Sequence, residues 1–193
     1  FINCESFFQK EPRSGYSHGY VDSKNLFKDF LSEMSDEIQT VSLQLEHVFG
    51  QNDNPSKLIP HIINSAINGD KYLNIGFCGV LRDLIYIQDV VDAFVTVIET
   101  NKTLLIERYE VGLGKSIYLN EAVKELTKII SNKYPKSRLD YKNISFSKDV
   151  NNQILSSCAN NKTLRGIGWK PKYSIEDGLN ATFDYYLKNI KNK

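Results

Sequence analysis

The sequence predicts an α/β fold, because short strand-like segments alternate with longer segments that have the pattern of amphipathic helices. The strand-like segments are rich in β-branched and other apolar residues, and the helical segments repeat apolar residues every three or four positions. The 193 residues suffice for one sizeable core, or for one core and a small lobe. Hydrophobic residues make up 41% of the chain and charged residues 24%, which is typical of a soluble globular protein.

The first half of the chain contains two predicted strands and two predicted helices. The chain opens in a strand, and a second strand is predicted over 39–49, ending at Gly50. Helices are predicted over 20–34 and 56–68, and Gly69 stands where a left-handed residue commonly ends a helix. In the first helix the apolar residues form a single stripe, made of Val21, Leu26, Phe27, Phe30, Leu31 and Met34.

The second half continues the alternation with less regular spacing. Strands are predicted over 72–75, 83–87 and 109–111, and a helix over 120–133. Asp89 is predicted to cap a helix that follows the strand at 83–87, and Ser174 with Asp177 has the capping pattern of a last helix that ends near 189. The polar stretch 138–161 is not assigned to an element.

Charge and cysteine content exclude several classes of partner and site. A formal net charge of +1 gives no reason to expect nucleic acid or an anionic membrane as a partner. The three cysteines show no spacing typical of disulfides or metal ligands, which favours reduced thiols, a cytoplasmic location and no metal. Apolar runs are too short to cross a bilayer. Because Phe1 lies inside a strand-like segment, we expect further residues upstream.

Tyr20 and Lys24 form the one short motif with catalytic meaning in the first helix. Residues four apart lie on the same side of a helix, so the lysine ammonium is expected close to the phenol. An ammonium beside a phenol favours the phenolate, and such a tyrosine can act as acid or base in the interconversion of a carbonyl and an alcohol. The motif alone has little specificity, and a solvated lysine beside a half-buried tyrosine is the alternative.

Seven sequence blocks in order resemble the extended short-chain dehydrogenase/reductase family, that is, the NAD-dependent epimerases and dehydratases. These blocks are F-I-N-C-E-S at 1–6, Y-V-D-S-K at 20–24, L-E-H-V-F-G at 45–50, the helix at 54–69, R-D-L-I-Y-I-Q-D at 82–89, Y-E-V-G-L-G at 109–114, and G-W-K-P at 168–171 with the capped helix after it. Together they extend over nearly the whole chain, and their order is more specific than any single motif.

The resemblance implies the C-terminal part of a Rossmann-type sheet with a smaller α+β substrate-binding lobe. Residues 1–53 would be the remainder of the catalytic domain, and 54–193 mainly the nucleotide-sugar lobe, with residues near 83–112 returning to the sheet. The family's glycine-rich phosphate loop has no counterpart before the catalytic strand, and Gly112-Leu113-Gly114 is not a substitute. The resemblance implies NADP or NAD as the cofactor of the intact protein. Because the glycine-rich loop is not found here, most of the cofactor site is expected outside these residues.

The resemblance assigns three catalytic residues. Ser6 would orient the hexose oxygen, and Tyr20 would donate or accept the proton. Lys24 would lower the pKa of the tyrosine and hydrogen-bond the nicotinamide ribose, so that Tyr20 and Lys24 both belong to the cofactor site. Without the resemblance, Ser6 is equally a turn residue at the end of a strand.

Three further residues are implied in substrate binding. Arg82 matches the arginine that pairs with the sugar-nucleotide diphosphate, with a surface salt bridge to Asp83 as the alternative. His47 stands where many members place an asparagine that contacts the substrate, with a purely structural histidine as the alternative. Lys57 is a candidate phosphate contact, with a solvated lysine as the alternative. Other positions depart from the family: Val150 replaces a second arginine, with Lys148 nearby, and Gln153 and Asn160 replace a glutamate and an aspartate.

Phe7 and Phe8 indicate the reaction, because the family's 4,6-dehydratases carry an Asp-Glu pair at this position. Because two phenylalanines replace this Asp-Glu pair, dehydration is not expected, and 4-keto reduction or 4-epimerisation remains. Within the family the chain most resembles the CDP-dideoxyhexose 4-ketoreductases, the paratose and abequose synthases of O-antigen biosynthesis, which favours reduction. The resemblance also implies a nucleotide-sugar substrate and a homodimer. A truncated, non-catalytic remnant is the second hypothesis.

Overall fold

The predicted alternation of strands and helices is present in the computed structural model, which describes residues 1–10, 18–100, 108–150 and 154–190. In these residues the strands are β1 (Ile2–Ser6), β2 (Val41–Leu45), β3 (His47–Phe49), β4 (Leu73–Ile75), β5 (Leu81–Arg82), β6 (Leu84–Tyr86), β7 (Arg108–Val111), β8 (Ile117–Tyr118) and β9 (Ile144–Phe146). The helices are α1 (His18–Glu33), α2 (Leu58–Asn68), α3 (Ile87–Glu99), α4 (Leu119–Lys133), α5 (Lys162–Gly166) and α6 (Ile175–Ile190). Turns of 3₁₀ helix lie at Phe7–Gln9 and Tyr141–Asn143.

The main sheet has the order β1-β2-β7, and both strand pairs are parallel. Paired residues of parallel strands share a face, so Cys4, Leu43 and Tyr109 lie in one row and Glu5, Gln44 and Glu110 in the next, on the opposite face. One face is therefore largely apolar and the other is polar. This parallel sheet, with helices between its strands, is the arrangement that the sequence predicts.

Glu46 divides the strand that is predicted over 39–49 into two, and that prediction is wrong in this respect. The backbone N–H of Glu46 still donates to the Val111 carbonyl at 3.0 Å, but the next N–H, of His47, donates to the Asp83 carbonyl at 3.1 Å. Strand β3 then pairs with β6 instead of continuing the main sheet. The change of partner depends on contacts with residues far along the chain, which strand propensity does not contain.

The described residues contain two clusters of buried apolar side chains. The helical core joins α2, α4 and α6 and includes Ile62, Leu126 and Phe183, all of them 0% exposed. The sheet core joins the apolar face of the main sheet to α3 and includes Leu43 and Trp169. The side chain of Ile87 packs against both cores. The division into 1–53 and 54–193 stays a prediction.

The apolar stripe predicted on α1 is only partly buried. Val21 and Leu31 are 6% and 7% exposed, whereas Leu26, Phe27 and Phe30 are 70%, 42% and 53% exposed. Among the described residues, α1 thus has one buried edge and one exposed apolar edge. No helix of the described ranges combines the length and apolar character that crossing a bilayer requires.

Helix ends confirm two predictions and overturn a third. Gly69 ends α2 in the left-handed conformation, with φ of 84°, and Ser174 and Asp177 exchange hydrogen bonds at the start of α6. Asp89 is not a helix cap: α3 begins two residues earlier, after Tyr86, and the Asp89 carboxylate accepts the backbone N–H groups of Lys172 and Tyr173. The sequence pattern alone does not contain this contact, since it spans more than 80 residues.

Candidate active site

A cavity of about 960 Å³ lies where the carboxyl ends of β1 and β2 meet α2 and α4. Its lining brings together five predicted site residues from separate segments: Ser6, Tyr20, His47, Lys57 and Arg82. The sixth, Lys24, is not among the lining residues. A pocket of this size at the carboxyl ends of parallel strands is where α/β proteins bind their ligands.

Ser6 ends β1 and caps the 3₁₀ turn that follows it. Its hydroxyl accepts the Phe8 N–H at 3.4 Å, and its own N–H donates to Oε1 of Gln9 at 2.9 Å. The turn role that the sequence allows for Ser6 is therefore present. A hydroxyl has one proton and two lone pairs, so a side chain that accepts one bond can still donate to a substrate oxygen.

Lys24 fixes α1 against the strand that carries Ser6. Its Nζ donates to the backbone carbonyl of Cys4 at 2.8 Å, two residues before Ser6. Tyr20 lies one turn earlier on the same side of α1, lines the cavity and is 46% exposed. The exposed phenol of Tyr20 is therefore accessible from the cavity, whereas the role of Tyr20 and Lys24 in cofactor binding stays a prediction.

Gln9 is a positioning residue that sequence reasoning missed. Its amide oxygen accepts the Ser6 N–H, and its Nε2 donates to Oδ1 of Asn25 at 3.0 Å on α1. Gln9 thus joins the segment of Ser6 to the helix of Tyr20 and Lys24. Its place three residues after Ser6 is a capping-box spacing, which is the signal that could have identified it.

Lys10 forms a second connection that the sequence gave no reason to expect. Its Nζ lies 3.0 Å from Oε1 of Glu46 and 2.8 Å from Oε2 of Glu110, and so links the turn after Ser6 to β7 and to the end of β2. Burial alone would lower the pKa of Lys10, but its hydrogen bonds to the two carboxylates outweigh this and raise the pKa. The Glu46 side chain is only 1% exposed, so Lys10 supplies the charge that its carboxylate needs.

His47 is held among aromatic rings and stays neutral. Its ring centroid lies 4.0 Å from that of Phe7 and 6.2 Å from that of Phe8. Burial, and then the positive charges of Arg82 and Lys57, lower the pKa of His47 to about 3. Its Nε2 is buried and has no hydrogen-bond partner among the described residues. A neutral imidazole with an unmatched buried nitrogen is suited to hydrogen-bond a ligand and does not supply a positive charge.

Arg82 and Lys57 place two positive charges at the cavity. Arg82 is 7% exposed, and its Nη1 donates to the Leu81 carbonyl at 2.8 Å. The alternative of a surface salt bridge to Asp83 is wrong, because Asp83 is 0% exposed and its carboxylate accepts three backbone N–H groups. Lys57 precedes α2, and its Nζ lies 2.7 Å from Asp53.

The positions that depart from the family pattern lie away from the cavity. Lys148, Val150 and Asn160 are exposed, and none of the three belongs to the cavity lining. The Asn160 backbone N–H donates to Glu110 at 2.7 Å. Gln153 lies outside the described residues.

Comparison with known proteins identifies relatives of one family. The family model for the NAD dependent epimerase/dehydratase family matches residues 5–112, more than half of the chain. The chain is 33% identical to the CDP-abequose synthase of Salmonella muenchen over 184 residues, and 30% identical to that of Salmonella typhimurium over 185 residues. Each alignment covers 93% of this chain and 60% of the relative, so the chain spans about 60% of the length of these curated relatives.

A solved structure shows the fold independently. The UDP-glucuronic acid 4-epimerase of Bacillus cereus, in complex with UDP-glucuronic acid and NAD, superposes with a TM-score of 0.78 at 22% identity, over 98% of this chain and 62% of that one. The Rossmann-type architecture that the sequence predicts is therefore confirmed. The CDP-abequose synthases likewise confirm the resemblance drawn from the ordered blocks. The chain belongs to the NAD dependent epimerase/dehydratase family.

Proposed function

We propose that the intact protein reduces the 4-keto group of a nucleotide-linked deoxyhexose with NADPH or NADH. The observation that supports this most is the cavity that Ser6, Tyr20, His47, Lys57 and Arg82 share. Phe7 and Phe8 stand in the turn directly after Ser6, so this turn carries no carboxylate to remove water from the sugar. Similarity to CDP-abequose synthases agrees with a sugar-nucleotide substrate.

Tyr20 is the proton donor in this proposal. When bound, the nicotinamide supplies the hydride that C4 receives. As the C4–H bond forms and the carbon–oxygen double bond becomes single, the Tyr20 hydroxyl gives its proton to the oxygen. Solvent then returns a proton to the exposed phenolate. Ser6 donates a hydrogen bond to the same oxygen while its lone pair accepts from Phe8 N–H.

Lys24, Arg82 and Lys57 bind and position the ligands in this proposal. Lys24, held by the Cys4 carbonyl, would bind the nicotinamide ribose and keep Tyr20 beside the strand end. Arg82 and Lys57 would bind the diphosphate of the substrate, because guanidinium and ammonium groups donate several hydrogen bonds to phosphate oxygens. His47 would contact the sugar, since it lines the same cavity as Arg82 and Lys57.

Replacement of the Tyr20 hydroxyl tests the proposal. In the intact protein, Tyr20→Phe should lower kcat for reduction of a CDP-4-keto-dideoxyhexose by about 100-fold or more, because the proton donor is lost. Binding of NADPH, measured by fluorescence, should stay within about threefold. Tyr72→Phe is the matched control, since that ring is 68% exposed and does not line the cavity. Unchanged turnover in Tyr20→Phe would exclude this mechanism.

The same assay separates the competing functions. A reductase consumes NADPH with the 4-keto substrate and leaves UDP-glucose unchanged. Conversion of UDP-glucose to its 4-epimer without net cofactor consumption would instead establish epimerisation. Absence of both reactions in the intact, folded protein would favour the non-catalytic remnant.

A further inference from the structure

The backbone of Ser6 is held by side-chain amides on both sides. Its N–H donates to Oε1 of Gln9 at 2.9 Å, and its carbonyl accepts Nε2 of Gln44 at 3.4 Å. Gln9 also donates its Nε2 to Oδ1 of Asn25 on α1, at 3.0 Å. Because a backbone N–H can only donate, the amide oxygen of Gln9 faces Ser6 and its NH₂ group faces Asn25. Ser6 and α1 are thus joined by one ordered chain of hydrogen bonds.

Two successive residues of α1 attach this helix to the end of β1. Lys24 donates to the backbone of β1 at 2.8 Å, two residues before Ser6. Asn25 reaches the Ser6 N–H itself, through Gln9. Tyr20 lies one helical turn before Lys24 on the same side of α1. Two attachments to one helix restrict the rotation of the strand end as well as its distance, so together they fix where Ser6 stands relative to Tyr20.

Gln9 and Asn25 lie outside the cavity lining. Both side chains are half-buried, and neither belongs to the residues that line the cavity with Ser6 and Tyr20. Ser6 is 9% exposed, so its backbone N–H depends on Gln9 for the partner that water would otherwise supply. An effect of this amide pair on a bound sugar therefore has to pass through Ser6 and Tyr20.

We propose that Gln9 and Asn25 are positioning residues for proton transfer to the substrate oxygen. This inference rests on the proposed function, in which Ser6 and Tyr20 both hydrogen-bond the oxygen on C4. One oxygen accepts from both hydroxyls only when each lies within about 2.5–3.0 Å of it. A displacement of Ser6 by about 1 Å can lower the rate about 100-fold, although every group that touches the substrate is still present.

Substitutions that exchange donors and acceptors test the amide pair. Asn25→Asp keeps an acceptor for the NH₂ group of Gln9, and Gln9→Glu keeps an acceptor for the Ser6 N–H while the Asn25 amide turns to donate. Each single variant of the intact protein should therefore keep kcat for reduction of a CDP-4-keto-dideoxyhexose within about threefold of wild type. The double variant places two carboxylates face to face, and its kcat should fall by about tenfold or more.

Calorimetry and a matched double variant identify the cause of this loss. The Kd of CDP should stay within about threefold in every variant, because the cationic residues of the cavity are unchanged. Asn180 donates its Nδ2 to the Glu176 carbonyl at 3.0 Å on α6, outside the cavity lining. Gln9→Glu combined with Asn180→Asp adds the same charges and should have the kcat of Gln9→Glu alone. Wild-type kcat in Gln9→Glu combined with Asn25→Asp, or a loss that is only the product of the two single losses, would overturn the inference.

Hydrogen exchange separates this inference from the proposed function. Gln9→Met removes the acceptor of the Ser6 N–H and keeps the length of the side chain. In the free intact protein, this N–H should exchange about tenfold or more faster in Gln9→Met than in wild type, measured by NMR. An unchanged exchange rate would overturn the inference even where the double variant does not fold. Faster exchange in Gln9→Met, together with no reduction of the 4-keto sugar by the wild-type protein, would refute the proposed function alone.

Discussion

The imidazole of His47 shows how its surroundings decide the chemistry of a single side chain. It stacks on Phe7, faces the positive charges of Arg82 and Lys57, and has a pKa lowered to about 3 by burial and then by those charges. In the unfolded chain the same group has its ordinary pKa of 6.5. Between these two values the unfolded state binds a proton at His47 and the folded state does not.

His47 should therefore make the protein less stable as the pH falls. The loss in the free energy of unfolding that His47 causes is small above pH 6.5. It grows by at most about 1.4 kcal/mol for each pH unit as the pH falls from 6.5 to 3. His47→Gln removes it, so urea denaturation at pH 7 and at pH 5 should show the variant gaining about 2 kcal/mol relative to wild type over this interval. Burial raises the pKa of Asp83 and Asp89, with the opposite effect on stability, but both proteins share these groups. A difference between the proteins that is independent of pH would contradict this assignment.

At the residue scale, the sequence predicts candidate site residues but not the contacts of their side chains. Ser6, Tyr20 and Lys24 followed from the order of motifs, and the first two line one cavity. The hydrogen bond from Lys24 to Cys4, the burial of Arg82 and the stacking of His47 could not be predicted. Each depends on which distant residue lies opposite, and residue type and spacing do not contain that information.

Asp83 connects segments that are far apart in the sequence. Its carboxylate accepts the N–H groups of Leu113 at 2.7 Å, Gly114 at 2.9 Å and Ala159 at 3.1 Å. It thereby fixes the loop after β7 and residue 159 to the segment that carries Arg82. Gly112 has to be glycine here, because a Cβ would meet Oδ2 of Asp83 at 2.6 Å and Cβ of Ala159 at 2.7 Å.

Asp83→Asn should destabilise the protein by about 3 kcal/mol or more. An amide has one acceptor oxygen, and its NH₂ group would face backbone N–H donors, which leaves buried donors unmatched. Asp184→Asn is the matched control: that carboxylate pairs with Lys133 at 2.8 Å but its side chain is 48% exposed, and loss of an exposed pair costs about 1 kcal/mol or less. Urea denaturation of both variants gives the comparison. Similar small losses in the two would show that the Asp83 hydrogen bonds are not a stabilising connection.

At the element scale, helix type was predictable and partner choice was not. Periodic apolar residues gave α2, α4 and α6 nearly correct ends, since each has one face in the helical core. The break at Glu46 and the strand β9 in the unassigned polar stretch arise from pairing, with β6 in one case and β4 in the other. Asp89 was placed in the correct helix, but its carboxylate binds the chain near 172 because that backbone passes over the helix start.

In the described residues, the helical core and the sheet core meet at Ile87 and at the strands β3 and β6. Order of elements and family resemblance were enough to predict a Rossmann-type sheet, because such folds bring consecutive β and α elements together. They could not predict how closely the two cores are coupled. Ile87, at the start of α3, packs against both, and β3 and β6 pair between them.

This connection predicts that the helical core and the sheet core unfold together. Leu126 is 0% exposed in the helical core, so Leu126→Ala should cost about 2–5 kcal/mol through the cavity it leaves. Trp169, the single tryptophan of the 193 residues, is 1% exposed in the sheet core and reports on that core by its fluorescence. In the 193-residue chain, the urea midpoint measured by tryptophan fluorescence should fall together with the midpoint measured by circular dichroism.

Ile98→Ala is the matched control, since Ile98 is 69% exposed on α3 and its truncation should change stability by no more than about 0.5 kcal/mol. If Leu126→Ala lowers only the circular dichroism midpoint and leaves the tryptophan transition in place, the two cores are separate folding units. Coincident shifts mean that a substitution in the helical core also destabilises the strand that ends at Ser6. Loss of activity in such a variant would then reflect destabilisation of the whole fold, and the proposed catalytic role of Ser6 and Tyr20 has to be tested with variants that keep wild-type stability.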